Sequence, residues 1–157
     1  MASEAPEDVC ILDVEASLEH FSQSKALHAD TMLVVVEPYF RSLETGRRMV
    51  GLGKQLAPER LVLVANKVRD ERELKAVEQL AASEGIAVAG AVPYDERLLD
   101  AERADSALLD FDPHAPAVTA IEELARELLA TDGDSDGGVM PGRGALVRGA
   151  AELGRDG

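Results

Sequence analysis

The chain has no tryptophan, one cysteine and only a handful of Tyr and Phe residues in 157. Without a second cysteine there is no internal disulfide and no thiolate cluster for zinc. So few aromatics leave no row of rings on which nucleobases could stack along a strand. Basic residues are also scarce. Lys+Arg number 16 against 30 Asp+Glu, a formal charge of −14. Such a surface argues against DNA, RNA or an anionic membrane as main partner, because each is held by positive charge. No apolar run approaches the roughly 18 residues needed to cross a bilayer. The opening MASEAPEDVC has neither the basic nor the apolar region of a secretory signal, so the cytoplasm is the expected location. What is present is 46% apolar sequence, enough for the core of one acidic globular domain.

Four short apolar runs punctuate the chain. Val9–Leu12 ends at Asp13, Met32–Val36 at Glu37-Pro38, Leu61–Ala65 at Asn66-Lys67, and Ala87–Val92 at Pro93. Continuous runs without polar alternation are the pattern of parallel strands covered on both faces. By this reading Cys10 is a small core hydrophobe in a buried strand. The segments between are helical in period. Ser42–Leu56 aligns Leu43, Met49, Val50, Leu52 and Leu56. In Arg69–Glu84, Asp70 and Glu73 have capping-box spacing, Leu74, Val77, Leu80 and Ala81 form the apolar stripe, and Gly85 is placed to stop the helix. A last helix is expected over Ala115–Ala130. Alternating strands and helices predict an α/β domain, a mostly parallel sheet flanked by helices.

The expected organisation is a frayed N-terminus at 1–8, an ordered domain at 9–130 and a tail at 131–157. That tail holds most of the glycines and has no periodicity, which predicts disorder. Its DGDSDGG run lacks the closing Glu of a calcium loop. The acidic run Asp95–Asp105 reads as a solvated helix face.

In an open parallel sheet, ligands sit beyond the carboxyl ends of the strands. The polar clusters Asp13-Val14-Glu15, Glu37-Pro38-Tyr39, Asn66-Lys67 and Pro93-Tyr94-Asp95 are all expected there. An Asp closing an apolar strand can orient Mg²⁺ through water; it can equally cap a turn or helix. Asn66 can donate to and accept from a purine edge, although an Asn-Lys pair is also an ordinary loop.

Taken together, ILDVEASLEHF, LVVVEPYFRSLETGRRM, LVLVANKV and VAGAVPYDERLLDAE resemble the deviant-Walker ATPases of the MinD/ParA type. Among these the likeness is greatest to the maturation ATPases that insert nickel into carbon monoxide dehydrogenase. The resemblance runs from Val9 to Leu129 and implies a P-loop NTPase fold of the SIMIBI type. It also implies ATP and Mg²⁺ as cofactors. By that resemblance Asp13 belongs to the Mg²⁺ shell, and Glu15–Phe21 is a nucleotide-sensing switch. Asn66, with Lys67 beside it, and Pro93, Tyr94 and Asp95 hold the adenine, and Val34–Ser42 moves with a dimer partner.

Two departures stand out. Ser17 occupies the place where the family has a pivoting Gly. No Gly-x-x-x-x-Gly-Lys-Ser/Thr pattern occurs in the 157 residues. The Gly46–Lys54 cluster reads as helix surface or packing, and Lys25, Lys54, Lys67 and Lys75 offer no evident substitute. Phosphoryl transfer rests on positioning and charge stabilisation, so the chain alone is expected not to hydrolyse ATP. The fold expected is thus a partial one lacking the P-loop strand. His20 reads as a packed or surface residue, and metal delivery lacks the Cys-x-Cys pair that the family uses.

Two functions follow. One is a nucleotide-binding part of a maturation ATPase, completed by a partner supplying the P-loop half or by a homologous subunit, with a homodimer also open. The other is a non-enzymatic regulatory module that pairs with a full-length homologous ATPase.

Overall fold

The computed structural model describes residues 9–13 and 29–131. Three parallel strands, β1 (Thr31–Val36), β2 (Arg60–Val68) and β3 (Ala87–Pro93), form a sheet in the order β1-β2-β3. Helix α1 (Phe40–Leu56) joins the first two strands and α2 (Glu71–Glu84) the next two. After β3 come the short helices α3 (Arg97–Arg103) and α4 (Leu108–Phe111), and then α5 (Pro116–Thr131). The α/β class and the parallel sheet are as the apolar runs indicate. None of the described helices is long and apolar enough to cross a membrane.

β2 is the centre of the domain. Val62, Leu63, Val64 and Ala65 are all buried, so consecutive side chains find cover on opposite faces. On one face, Leu63 and Ala65 pack with Val34 and Val36 of β1 against Met49 and Val50 of α1 and Val77 and Leu80 of α2. On the other, Val64 and Val92 meet Ala117 and Leu124 of α5, with Leu108 beside them. Leu63, Val36, Val50 and Val77 are fully enclosed, each contributing roughly 1.5–3 kcal/mol of transfer free energy.

The helix boundaries follow local chemistry. Asp70 Oδ1 accepts from Glu73 N–H at 2.9 Å, and Gly85 ends α2 in the left-handed region at φ 66°. The Glu73 carboxylate reaches Arg69 N–H at 2.6 Å, one residue earlier than the reciprocal capping bond requires. The Gly46–Lys54 stretch lies within α1, where Gly46 and Gly53 are buried against the sheet. Helix α5 extends through Thr131, the first residue of the expected tail. The rest of that tail, residues 1–8, and the segment with Ser17, His20 and the Glu15–Phe21 switch lie outside the described residues.

The first expected strand, Val9–Leu12, is not formed. Val9–Asp13 has no regular structure; Val9, Ile11 and Leu12 are exposed, Ile11 at 88%. Cys10 is likewise exposed, not a core residue. A strand is stabilised by a hydrogen-bonded neighbour and by cover for its side chains, and among the described residues this run has neither. Among the described residues β1 is therefore an edge strand. Leu33 and Val35 on its second face are 39% and 59% exposed, because α5 covers β3 and not β1.

Gly46 is where α1 comes closest to the sheet: a Cβ there would collide with Val36 Cγ1. Gly46→Ala should lower unfolding stability by about 1–3 kcal/mol despite its better helix propensity. The urea midpoint measures this, and an unchanged or raised midpoint would contradict the packing described.

Candidate nucleotide site

Parallel pairing with matched strand ends brings three of the expected polar clusters to one edge. Val36 is level with Ala65, and Ala65 with Ala91, so Glu37-Pro38, Asn66-Lys67 and Pro93-Tyr94-Asp95 leave the sheet together. Between Ala65 and Val68 the register slips by one residue against β3. This bulge contains Lys67, at φ 56°, a left-handed conformation unusual for a side chain with Cβ. Asn66 Oδ1 accepts from Lys67 N–H at 3.0 Å. The carboxamide is thereby oriented, with its two N–H donors not used by that bond.

Beside this edge lies a cavity of about 380 Å³, within the usual size range for small-molecule pockets. Asn66, Lys67, Pro93, Tyr94 and Asp95 all line it, so the five residues read as a base-holding group are brought together. The remaining walls are mainly apolar: Leu98 from α3, Leu108 and Leu109 from α4, and Val118 and Ile121 from α5. An apolar slot with one oriented amide at its rim suits a flat, edge-polar heterocycle.

Each polar group at the rim is tied down. Lys67 Nζ donates to Glu37 Oε1 at 2.9 Å, joining the ends of β1 and β2. That hydrogen bond, then the charge attraction, holds the Lys67 ammonium above the usual lysine range. The Arg69 guanidinium lies 4.1 Å from the Tyr94 ring centroid, a cation–π contact that holds the ring at the pocket mouth. The Tyr94 main chain continues the ladder by donating to Val68 O.

Asp95 departs from expectation. The acidic run beginning with it reads as solvated, yet its side chain is only 7% exposed. Oδ1 accepts from Arg97 N–H at 3.1 Å and Oδ2 from Ala117 N–H at 3.3 Å. Arg97 lies 3.8 Å from the same carboxylate and 3.3 Å from Asp112.

Asp13 is not part of this assembly. It is exposed, follows no strand and does not line the cavity. Among the described residues no three His, Cys, Asp or Glu side chains form a metal-binding group. The pocket thus gathers the five residues expected to hold a base, while the described residues assemble no metal-binding group. The α4 wall, the Glu37–Lys67 pair and the Arg69–Tyr94 stack escaped sequence reading.

These elements have the MinD/ParA-type P-loop NTPase fold. MinD of Aquifex aeolicus superposes with a TM-score of 0.54 at 24% identity, over 67% of this chain and 46% of that one. A ParA family ATPase of Chlorobium tepidum gives 0.51 at 17% identity, over 64% and 41%. In sequence, an uncharacterised ATP-binding protein of Methanocaldococcus jannaschii is 38% identical over 96 residues, 61% of this chain and 37% of that protein. The carbon monoxide dehydrogenase accessory protein CooC of Rhodospirillum rubrum is 29% identical over 105 residues, 66% and 39%. No family model matches the chain. The resemblance read from the sequence blocks is thus shown in both fold and sequence, and the chain spans less than half the length of these relatives.

The raised Lys67 pKa gives a signed expectation. A base held above its unfolded value contributes stability at pH below that value, about 10.5. The contribution is lost as pH rises through the higher folded value. Because both partners are substantially exposed, Glu37→Gln should cost only about 0.2–1 kcal/mol at pH 8. In urea titrations the gap from the parent chain should close above pH 10.5; a constant gap would show that Glu37 acts by something other than this pair.

Proposed function

We propose that the chain is a nucleotide-binding part of a MinD/ParA-like maturation ATPase, whose described pocket receives the adenine of ATP. The observation that carries this is the pocket itself: an apolar slot with the Asn66 carboxamide oriented at its rim. An amide can pair with the amine and ring nitrogen of adenine at once. Pro93 and Tyr94 form the adjoining wall, and Lys67, paired to Glu37, stands at the same rim. The similarity to proteins described as ATP-binding supports the reading.

The phosphate end is a different matter. Backbone N–H groups and a loop lysine normally neutralise the β- and γ-phosphates, and the described residues bring no such group to the pocket. Hydrolysis therefore needs a phosphate loop from beyond the described residues, and a partner or homologous ATPase subunit is one source of it. Asp13 would take its Mg²⁺ role only in that assembly. ATP and Mg²⁺ are cofactors of the completed site.

A second reading is a non-enzymatic module that pairs with a full-length ATPase or with its own copy. The open edge of β1, with Leu33 and Val35 uncovered, favours it. The two readings differ on one measurement. Nuclear magnetic resonance titration with adenosine should perturb Asn66, Tyr94 and Ile121 selectively, guanosine should bind about tenfold or more weakly, and Asn66→Ala should abolish the difference. A folded chain whose pocket resonances ignore both nucleosides would leave the pairing module.

A further inference from the structure

Helix α5 lacks the means to cap itself. The residue before its first turn is Ala115, which has no side-chain oxygen, and the first turn opens with Pro116, which has no N–H. The first intrahelical bond runs from Thr119 N–H to Ala115 O. Ala117 N–H is thus one of the donors that a helix start leaves without an internal acceptor. Asp95, 22 residues earlier in the chain, supplies that acceptor through Oδ2. Its other oxygen holds the turn into α3 through Arg97 N–H. Arg97 then bridges to Asp112, whose own Oδ1 accepts from His114 N–H at 3.1 Å just before α5.

The carboxylate therefore joins the end of β3 to the start of α5, placing negative charge at the helix N-terminus, where it is favoured. This junction fixes the distance between two pocket walls: Pro93 and Tyr94 on one side, and Val118 and Ile121 on the other. We propose that Asp95 is a positioning residue for the pocket, a remote N-cap that sets the α5 wall, and not a group that reads the base. This rests on the base-pocket reading for its ligand, although the capping role itself does not.

The test uses the full 157-residue chain with Asp95→Ala, Asp95→Asn and Asp95→Ala combined with Ala115→Ser, which supplies a local cap hydroxyl. Amide exchange at Ala117 should quicken about tenfold in Asp95→Ala, and by less in Asp95→Asn, whose carboxamide oxygen can still accept, while Val77 in α2 keeps its rate. Ala115→Ser should restore most of the lost protection. Adenosine and purine riboside, which lacks the exocyclic amine, should both weaken by roughly the same three- to tenfold factor, leaving their ratio unchanged.

A ratio that collapses toward one while Ala117 exchange stays normal would overturn the proposal, since a carboxylate accepting from the amine discriminates between the two ligands. Uniformly faster exchange across α2 and α5, not rescued by Ala115→Ser, would also overturn it. If the parent chain binds neither nucleoside, the base-pocket reading fails. The remote cap then stands or falls on exchange and rescue alone. Should Asp95→Ala not fold, the double variant with its local cap hydroxyl should fold, and failure of both to fold would overturn the proposal of a cap that Ala115→Ser can replace.

Discussion

Burial of β2 on both faces, with a hydrogen-bonded strand along each edge, is the constraint from which the other features follow. Polar side chains cannot be accommodated inside such a strand, so polarity resumes only where the strand leaves its cover. Asn66 and Lys67 are the first residues past that limit. Parallel pairing then brings the corresponding exits of β1 and β3 to the same edge. The candidate site is thus a by-product of the core: three strands stop being apolar at matched heights.

The edge is organised by short polar ties between neighbouring exits. Glu37 meets Lys67 across β1 and β2, Arg69 covers Tyr94 across β2 and β3, and Asp95 reaches forward to α5. Individually these are modest interactions, and the first is substantially solvated. Their effect is geometric, because each removes freedom from a group at the pocket rim. A preformed slot loses less entropy on taking up a ligand than one that must first be ordered.

Much of the fold was legible because its signals are local. Asp70 with Glu73 marked the start of one helix and Gly85 its end, and the apolar runs of β2 and β3 needed no tertiary information. The clustering of Asn66, Lys67, Pro93, Tyr94 and Asp95 at one edge was legible for the same reason, since strand ends can be read from the runs that precede them. Failure came where stability depends on a distant neighbour. Val9–Leu12 has the composition of a strand, yet pattern alone cannot show whether a partner is at hand. The carboxylate of Asp95 looked solvated because the amide it caps is 22 residues away. Helix α4 is a single turn, too short to display a period.

The uncovered edge of β1 also bears on how the protein behaves in concentrated solution. Unpaired backbone groups beside exposed Leu33 and Val35 can template pairing with another chain, and the edge carries no lysine to discourage it. Long-range repulsion between molecules carrying −14 opposes that encounter. Such repulsion reaches about 10 Å at 0.1 M salt but only about 3 Å at 1 M. Among the described residues this edge is open, so salt that screens the charge removes the main opposition to pairing there, the reverse of a protein whose copies attract one another through opposite charges.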